Sequence, residues 1–194
     1  MGALHGDDES RNMRLNLQCH PLTPALAVDQ IIVEWSLSDS GTIWLRYHVD
    51  GTVAEVQLPD HADPSQRMDG LWQHSCFELF LKKPGSKHYC EFNFSPSGHW
   101  AAYSFSDYRQ GMEQLRMAQR PEILMDFSDT HIGLEATVQL PGILQGSALD
   151  AGLSAVIEMH NGEKSLWALA HPAGKPDFHH QDCFKLKIEA AERS

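Results

Sequence analysis

Two carboxylates and an amide stand among aromatic residues near the middle of this chain. In the segment 76–81, Cys-Phe-Glu-Leu-Phe-Leu, strand alternation sends Phe77, Leu79 and Leu81 to one face and Cys76, Glu78 and Phe80 to the other. In 89–94, Tyr-Cys-Glu-Phe-Asn-Phe, the core face is Cys90, Phe92 and Phe94, which leaves Tyr89, Glu91 and Asn93 opposite. A symmetric hairpin through 82–88 predicts Glu78 directly across from Glu91 and Cys76 across from Asn93. Carboxylates so placed lie roughly 5 Å apart at Cβ and repel unless a cation, a shared proton or a ligand's hydroxyls intervene. A register off by one pair would leave both simply solvated. Trp72 precedes this hairpin after Asp69-Gly70, in a loop that gives a large indole little reason for deep burial. A flat aromatic beside carboxylates and an amide suits a sugar, whose C–H face stacks while its hydroxyls bond the polar groups; a tryptophan lid on the core is the competing reading.

Other candidates lie further along. Trp100 follows Ser97-Gly98-His99 at a strand start and suits either packing or the site, whereas Trp35 and Trp44 lie within alternating strands and read as packing. The late loop 171–182 crowds together His171, Phe178, His179, His180 and Asp182. Such a cluster can hold a divalent metal, but adjacent histidines diverge in most backbones, so a polar rim around a ligand pocket is the better reading and no metal is expected. No Gly-x-Ser-x-Gly elbow is present for a serine hydrolase.

The elements that must position these residues are strands. Segments rich in Val, Ile, Phe, Tyr and Trp recur at 31–37, 42–49, 53–58, 76–81, 89–94, 100–105, 122–127, 131–140, 153–160, 165–170 and 183–188, punctuated by Gly, Pro, Asp and Ser. About eleven strands with short connections predict an all-β antiparallel sandwich or jelly roll. Helix is expected at 108–119 at most, between a strand end and Pro121. Residues 1–14 read as a flexible tail and 15–194 as one β-sandwich domain.

Composition narrows the partners. The 194 residues carry 15 Lys and Arg against 26 Asp and Glu, a formal charge of −11, with 12 histidines that would nearly cancel it if all were protonated. That charge disfavours nucleic acid and anionic membrane surfaces. The four cysteines are widely spaced without a Cys-x-x-Cys pair and read as buried apolar residues. With neither a signal-like start nor a long apolar run, a cytoplasmic location is expected. A sandwich edge could pair two copies, but no residue indicates an oligomeric state.

The block from Leu71-Trp72-Gln73-His74-Ser75-Cys76-Phe77-Glu78 to Leu81, with Tyr89 to Tyr103 and the late 176–184 stretch, resembles the bacterial DOMON-like proteins, relatives of the family-nine carbohydrate-binding modules. The resemblance runs from about residue 31 to 188. It implies a jelly-roll β-sandwich that binds sugar or haem at one side. In the sugar-binding relatives a tryptophan and a glutamate six positions later contact the ligand, which implies those roles for Trp72 and Glu78. Polar residues two apart on the next strand imply the same for Glu91 and Asn93, and a late second aromatic falls approximately at Phe178 or Trp167. The haem-binding relatives use methionine with histidine or lysine; Met68, Met112 and Met125 are available, with no pair that matches. Nothing matches the family's calcium sites.

The expected function is therefore a non-catalytic module for a saccharide or sugar-like ligand held by Trp72, Glu78, Glu91, Asn93, Trp100, Phe178 and His179, without a cofactor. The alternatives are a haem-binding DOMON-type domain and a glycoside-processing enzyme that uses Glu78 and Glu91 at retaining spacing. Histidines near the acids also predict that binding changes between about pH 7 and pH 5.

Overall fold

The computed structural model describes residues 13–25 and 27–190, so most of the expected tail lies outside the described residues. Twelve strands make up this part: β1 (Met13–Cys19), β2 (Val28–Leu37), β3 (Thr42–Gly51), β4 (Cys76–Lys82), β5 (Tyr89–Phe94), β6 (Trp100–Phe105), β7 (Glu113–Gln114), β8 (Glu122–Phe127), β9 (His131–Gln139), β10 (Leu149–Glu158), β11 (Lys164–Ala168) and β12 (Leu186–Ile188). One sheet runs β1-β2-β3-β9-β8 and the other β7-β6-β5-β4-β10-β11, with β12 also on β10; every pairing between these strands is antiparallel. β1 joins the two layers, because Met13 to Leu17 pair with β2 while Gln18 and Cys19 pair with β11. The result is the antiparallel sandwich expected from the strand pattern. Among the described residues no helix is long and apolar enough to cross a membrane.

The sheets bury one shared core. Alternation carries Ile43, Leu45, Tyr47 and Val49 inward from β3, and Phe77, Leu79 and Leu81 meet them from β4 together with Cys90, Phe92 and Phe94 from β5. Those inward faces agree with the period-two reading of both segments. Tyr47 then reaches across the core. Its ring packs on Phe77 at 5.0 Å and its buried hydroxyl donates to the backbone carbonyl of Glu78 at 2.8 Å, which pins β4 where the acidic residue projects from its other face.

That other face is also covered. Whereas β3 alternates buried and half-buried residues, every residue of β5 is buried, because loops fold over the outer side of the second sheet. Beneath them Leu71, Cys76, Phe80, Tyr89, Ala101, Tyr103, Phe105 and Phe184 form a second apolar cluster, with Phe178 packed against it.

The chain departs from the sequence expectations in several places. Segment 53–58 is not a strand: Val53–Glu55 is a single 3-10 turn, followed by an isolated bridge from Val56 to Met159. Segment 108–119 is not a helix, since Arg109 and Gly111 adopt positive φ (52° and 61°), incompatible with a right-handed helix, and Glu113 and Gln114 pair with β6. Met13 and Arg14, assigned to the tail, are paired strand residues. The stretch 149–152 is the start of β10.

Candidate functional site

β4 and β5 pair with Glu78 opposite Asn93 and Phe80 opposite Glu91. The direct Glu78–Glu91 opposition is thus overturned, because the turn closes one residue later than a symmetric hairpin, with Gly85 at positive φ and the Ser86 amide donating to the Lys83 carbonyl. The partner of Glu78 moves by two residues, so the pleat keeps every side chain on its expected face. Glu78 and Glu91 become diagonal neighbours, roughly 7–8 Å apart by strand geometry. The enzyme alternative rested on direct opposition of the two glutamates across the hairpin, which this register does not show.

The pair lies at the floor of a cleft of about 1500 Å³ that also takes in Trp72, Tyr103, Arg109, Phe178 and His179. Glu78 is only 3% exposed and Glu91 5%. Ser154, directly across on β10, donates its hydroxyl to Oε2 of Glu78 at 2.9 Å, and Asn93 donates its amide to Oε1 of Glu91 at 2.6 Å while accepting a long 3.6 Å bond from the Cys76 thiol. Oε1 of Glu78 has no hydrogen-bond donor among the described residues, and Oε2 of Glu91 has only the His179 ring at 3.8 Å, beyond hydrogen-bond distance. Burial raises both carboxyls, Glu78 to about 8 with the neighbouring Glu91 charge as the second cause. At neutral pH the floor therefore holds a proton.

Loops supply the walls. Gly70, at φ 77°, turns the chain into the 3-10 turn Leu71–Gln73; Leu71 plugs into the second cluster and leaves Trp72 outward, 51% exposed on the cleft rim. The turn is tied down by the Lys164 ammonium, which donates to the Gln73 carbonyl, and by a 2.7 Å contact between His74 and Glu158. Opposite, Asp177 accepts from the Arg109 guanidinium at 2.7 Å and from the Tyr108 hydroxyl. His179 is wedged edge-on against Phe80 and Phe105, both at 5.2 Å, with Nδ1 2.8 Å from the Tyr89 hydroxyl. A neutral ring that accepts the Tyr89 proton at Nδ1 carries its own proton on Nε2 and turns it toward Glu91. Burial, with Arg109 nearby, lowers this histidine to about 4.

Trp72, Glu78, Glu91, Phe178 and His179 therefore line one cleft, and Asn93 sits fully buried beneath it, holding Glu91. Trp100 does not join them. Its strand phase turns the indole into the main core, under the Arg67 guanidinium at 4.4 Å. Trp167 is likewise core. His171 donates toward the Gln18 carbonyl at 2.8 Å, and His180 caps its own 3-10 turn by accepting from the Asp182 amide, so neither reaches the rim. The expected change between pH 7 and pH 5 cannot come from His179, which stays neutral throughout that interval.

Several wall residues escaped the sequence reading. Tyr103 pairs with Glu91 on β6 and donates to Asp69 at 2.7 Å; its face was legible from alternation. Arg109 and Asp177 come from separate loops whose approach has no sequence signal.

Of the methionines available for haem, Met68 and Met112 lie exposed at the cleft mouth, and Met125 on β8 is not among the lining residues. Among the described residues no group of three or more His, Cys, Asp or Glu could hold a metal ion.

No protein-family model matches the sequence, and no curated protein does. Solved structures do. A Bacteroides uniformis protein, provisionally named as carbohydrate-binding, superposes with a TM-score of 0.65 at 13% identity over 89% of this chain and 84% of its own. A family-nine carbohydrate-binding module from Caldicellulosiruptor kristjanssonii, in complex with cellotriose, superposes with a TM-score of 0.56 at 10% identity over 94% and 84%. The chain has the β-sandwich fold of these proteins.

Proposed function

We propose that this protein is a non-catalytic binding module for a saccharide or sugar-like ligand. One observation carries the reading: a half-exposed tryptophan stands over a cleft whose buried floor keeps carboxylate oxygens free of protein partners. Trp72 offers a flat apolar platform, while Glu78 and Glu91 meet hydroxyls from below. Asn93 holds Glu91 in place, Phe178 and His179 close the side, and Trp100 supports the sheet from the core. The volume exceeds what one hexose fills, which suits an oligosaccharide or a solvated sugar. The names of the structural neighbours, one of them bound to cellotriose, support the same class.

Calorimetric titration against soluble hexoses, amino hexoses and oligosaccharides, cellotriose included, tests it. One stacking aromatic with a few hydrogen bonds supports modest affinity. Trp72→Ala should weaken binding about tenfold or more, the loss of a stacked ring, and change stability by no more than about 0.5 kcal/mol because the ring is exposed. Unchanged affinity in the variant, or no binding to any sugar, refutes the reading.

A further inference from the structure

The cleft floor has two buried carboxyls with no protein cation in hydrogen-bond contact, and Arg109 acts on them only from a distance. Of the cleft's two basic lining residues, Arg109 bonds Asp177 and Lys164 turns to Glu158 and the Gln73 carbonyl, whereas the lining carboxylates include Asp60, Asp69, Glu78 and Glu91. Tyr103 is committed to Asp69, and the Cys76 thiol to Asn93. His179, whose ring stands 3.8 Å from Oε2 of Glu91, is neutral above about pH 4. Oε1 of Glu78 and Oε2 of Glu91 thus belong to side chains more than nine-tenths buried, open into one cleft, and lack a donor. A buried carboxylate is ordinarily paired with a cation; here burial keeps a proton in that place, and Arg109 contributes only from a distance. A metal ion would need more ligands than the site offers.

We propose that the ligand supplies the pairing cation: the cleft selects a sugar that carries an ammonium group, an amino sugar, and seats that group between Oε1 of Glu78 and Oε2 of Glu91 beneath Trp72. This rests on the saccharide reading and sharpens it. An ammonium has three donors, enough to bridge the two free oxygens, and its charge gives bonds about twice as strong as those of a neutral hydroxyl. Its arrival also displaces the proton that burial holds on the floor, and that proton passes to the buffer.

Glucosamine, galactosamine and mannosamine are titrated beside glucose, galactose and mannose at about pH 6.5, where an aliphatic amine is charged. At least one amino sugar should bind about tenfold or more tightly than its parent, the strength of one charge-assisted hydrogen bond. Titration in two buffers of different ionisation enthalpy should show roughly one proton released per ligand. Glu78→Gln and Glu91→Gln should each bring amino sugar and parent to near parity; if either fails to fold, the other and the wild-type proton count still decide. Parent hexoses that bind as tightly as their amino sugars overturn the proposal while leaving the saccharide reading intact. A preference that survives both glutamine variants without proton release overturns it too, because the ammonium then sits elsewhere. If no sugar of either kind binds, the saccharide reading falls and this proposal with it.

Discussion

Glu78→Gln should make the protein more stable at alkaline pH, by on the order of a few kcal/mol at pH 9, and leave it nearly unchanged at pH 4. Below about pH 4.5 the Glu78 carboxyl is protonated in both folded and unfolded chains. From there to about 8 the unfolded chain ionises it while the folded chain keeps the proton, so stability falls as pH rises; above 8 the cost of a buried anion is fully present. Glutamine can still accept the Ser154 hydroxyl and has no charge to bury. His179 acts with the opposite sign. Its folded value near 4 means that protonation favours the unfolded chain as pH falls below about 6.5, so its stabilising effect is present above that pH and lost toward 4. In the wild type the two slopes oppose each other between about 4.5 and 6.5, and a decline follows from 6.5 to 8. In the variant the opposition is lifted, so stability should rise from pH 4 to 6.5 and then level, apart from a smaller decline due to Glu91, which is raised in the same sense. Urea midpoints across this range measure it. A variant whose profile parallels the wild type would show that Glu78 is ionised in the folded protein at neutral pH.

Phe80→Ala should lower stability by about 3–5 kcal/mol and abolish ligand binding together with it. Phe80 is 1% exposed at the centre of the second cluster, between Phe184 at 6.2 Å and His179 at 5.2 Å, and is paired with Glu91 across the hairpin. With Tyr89 and Phe105 it forms the seat on which the 176–184 loop rests on the sheet. Removing the ring leaves a cavity that backbone hydrogen bonds of β4 prevent from closing, and the loop that carries Phe178 and His179 loses its seat. Hydrogen exchange should show faster opening of that loop, while β2, β3 and β9 on the far sheet keep their local order at low denaturant. A loss below about 1 kcal/mol, or a loop that stays protected, would mean that the second cluster does not hold the cleft wall.

How much of this could be read without coordinates differs by element. The period-two pattern of 76–81 and 89–94 assigns each residue to a face, and a shift of pairing by two positions cannot alter that, which is why Glu78, Glu91 and Asn93 lie on the same side even though the expected opposition was wrong. β1 carries the same signal in the alternation of Met13, Leu15, Leu17 and Cys19, yet it is absent from the expected strands and its first two residues fall in the expected tail. The helix expected at 108–119 failed because good helix formers there serve tertiary partners: Tyr108 and Arg109 bond Asp177, nearly seventy positions away. Propensity is a weak local preference, and the positive φ at Arg109 and Gly111 together with the rim contacts to Asp177 outweighs it.

The sequence by itself determined the sandwich and the inward faces of its central strands, because these follow from nearest-neighbour stereochemistry, while the structure decided between the two readings of Trp72 in favour of exposure. Only the tertiary structure decided that the outer sheet face is roofed, that Glu78 and Glu91 are diagonal and short of donors, and that Trp100 belongs to the core. It likewise brought Arg109 and Asp177 together at the rim. Burial and hydrogen-bond satisfaction depend on which loops fold over which strands, and that is a property of the whole chain, invisible in any one segment.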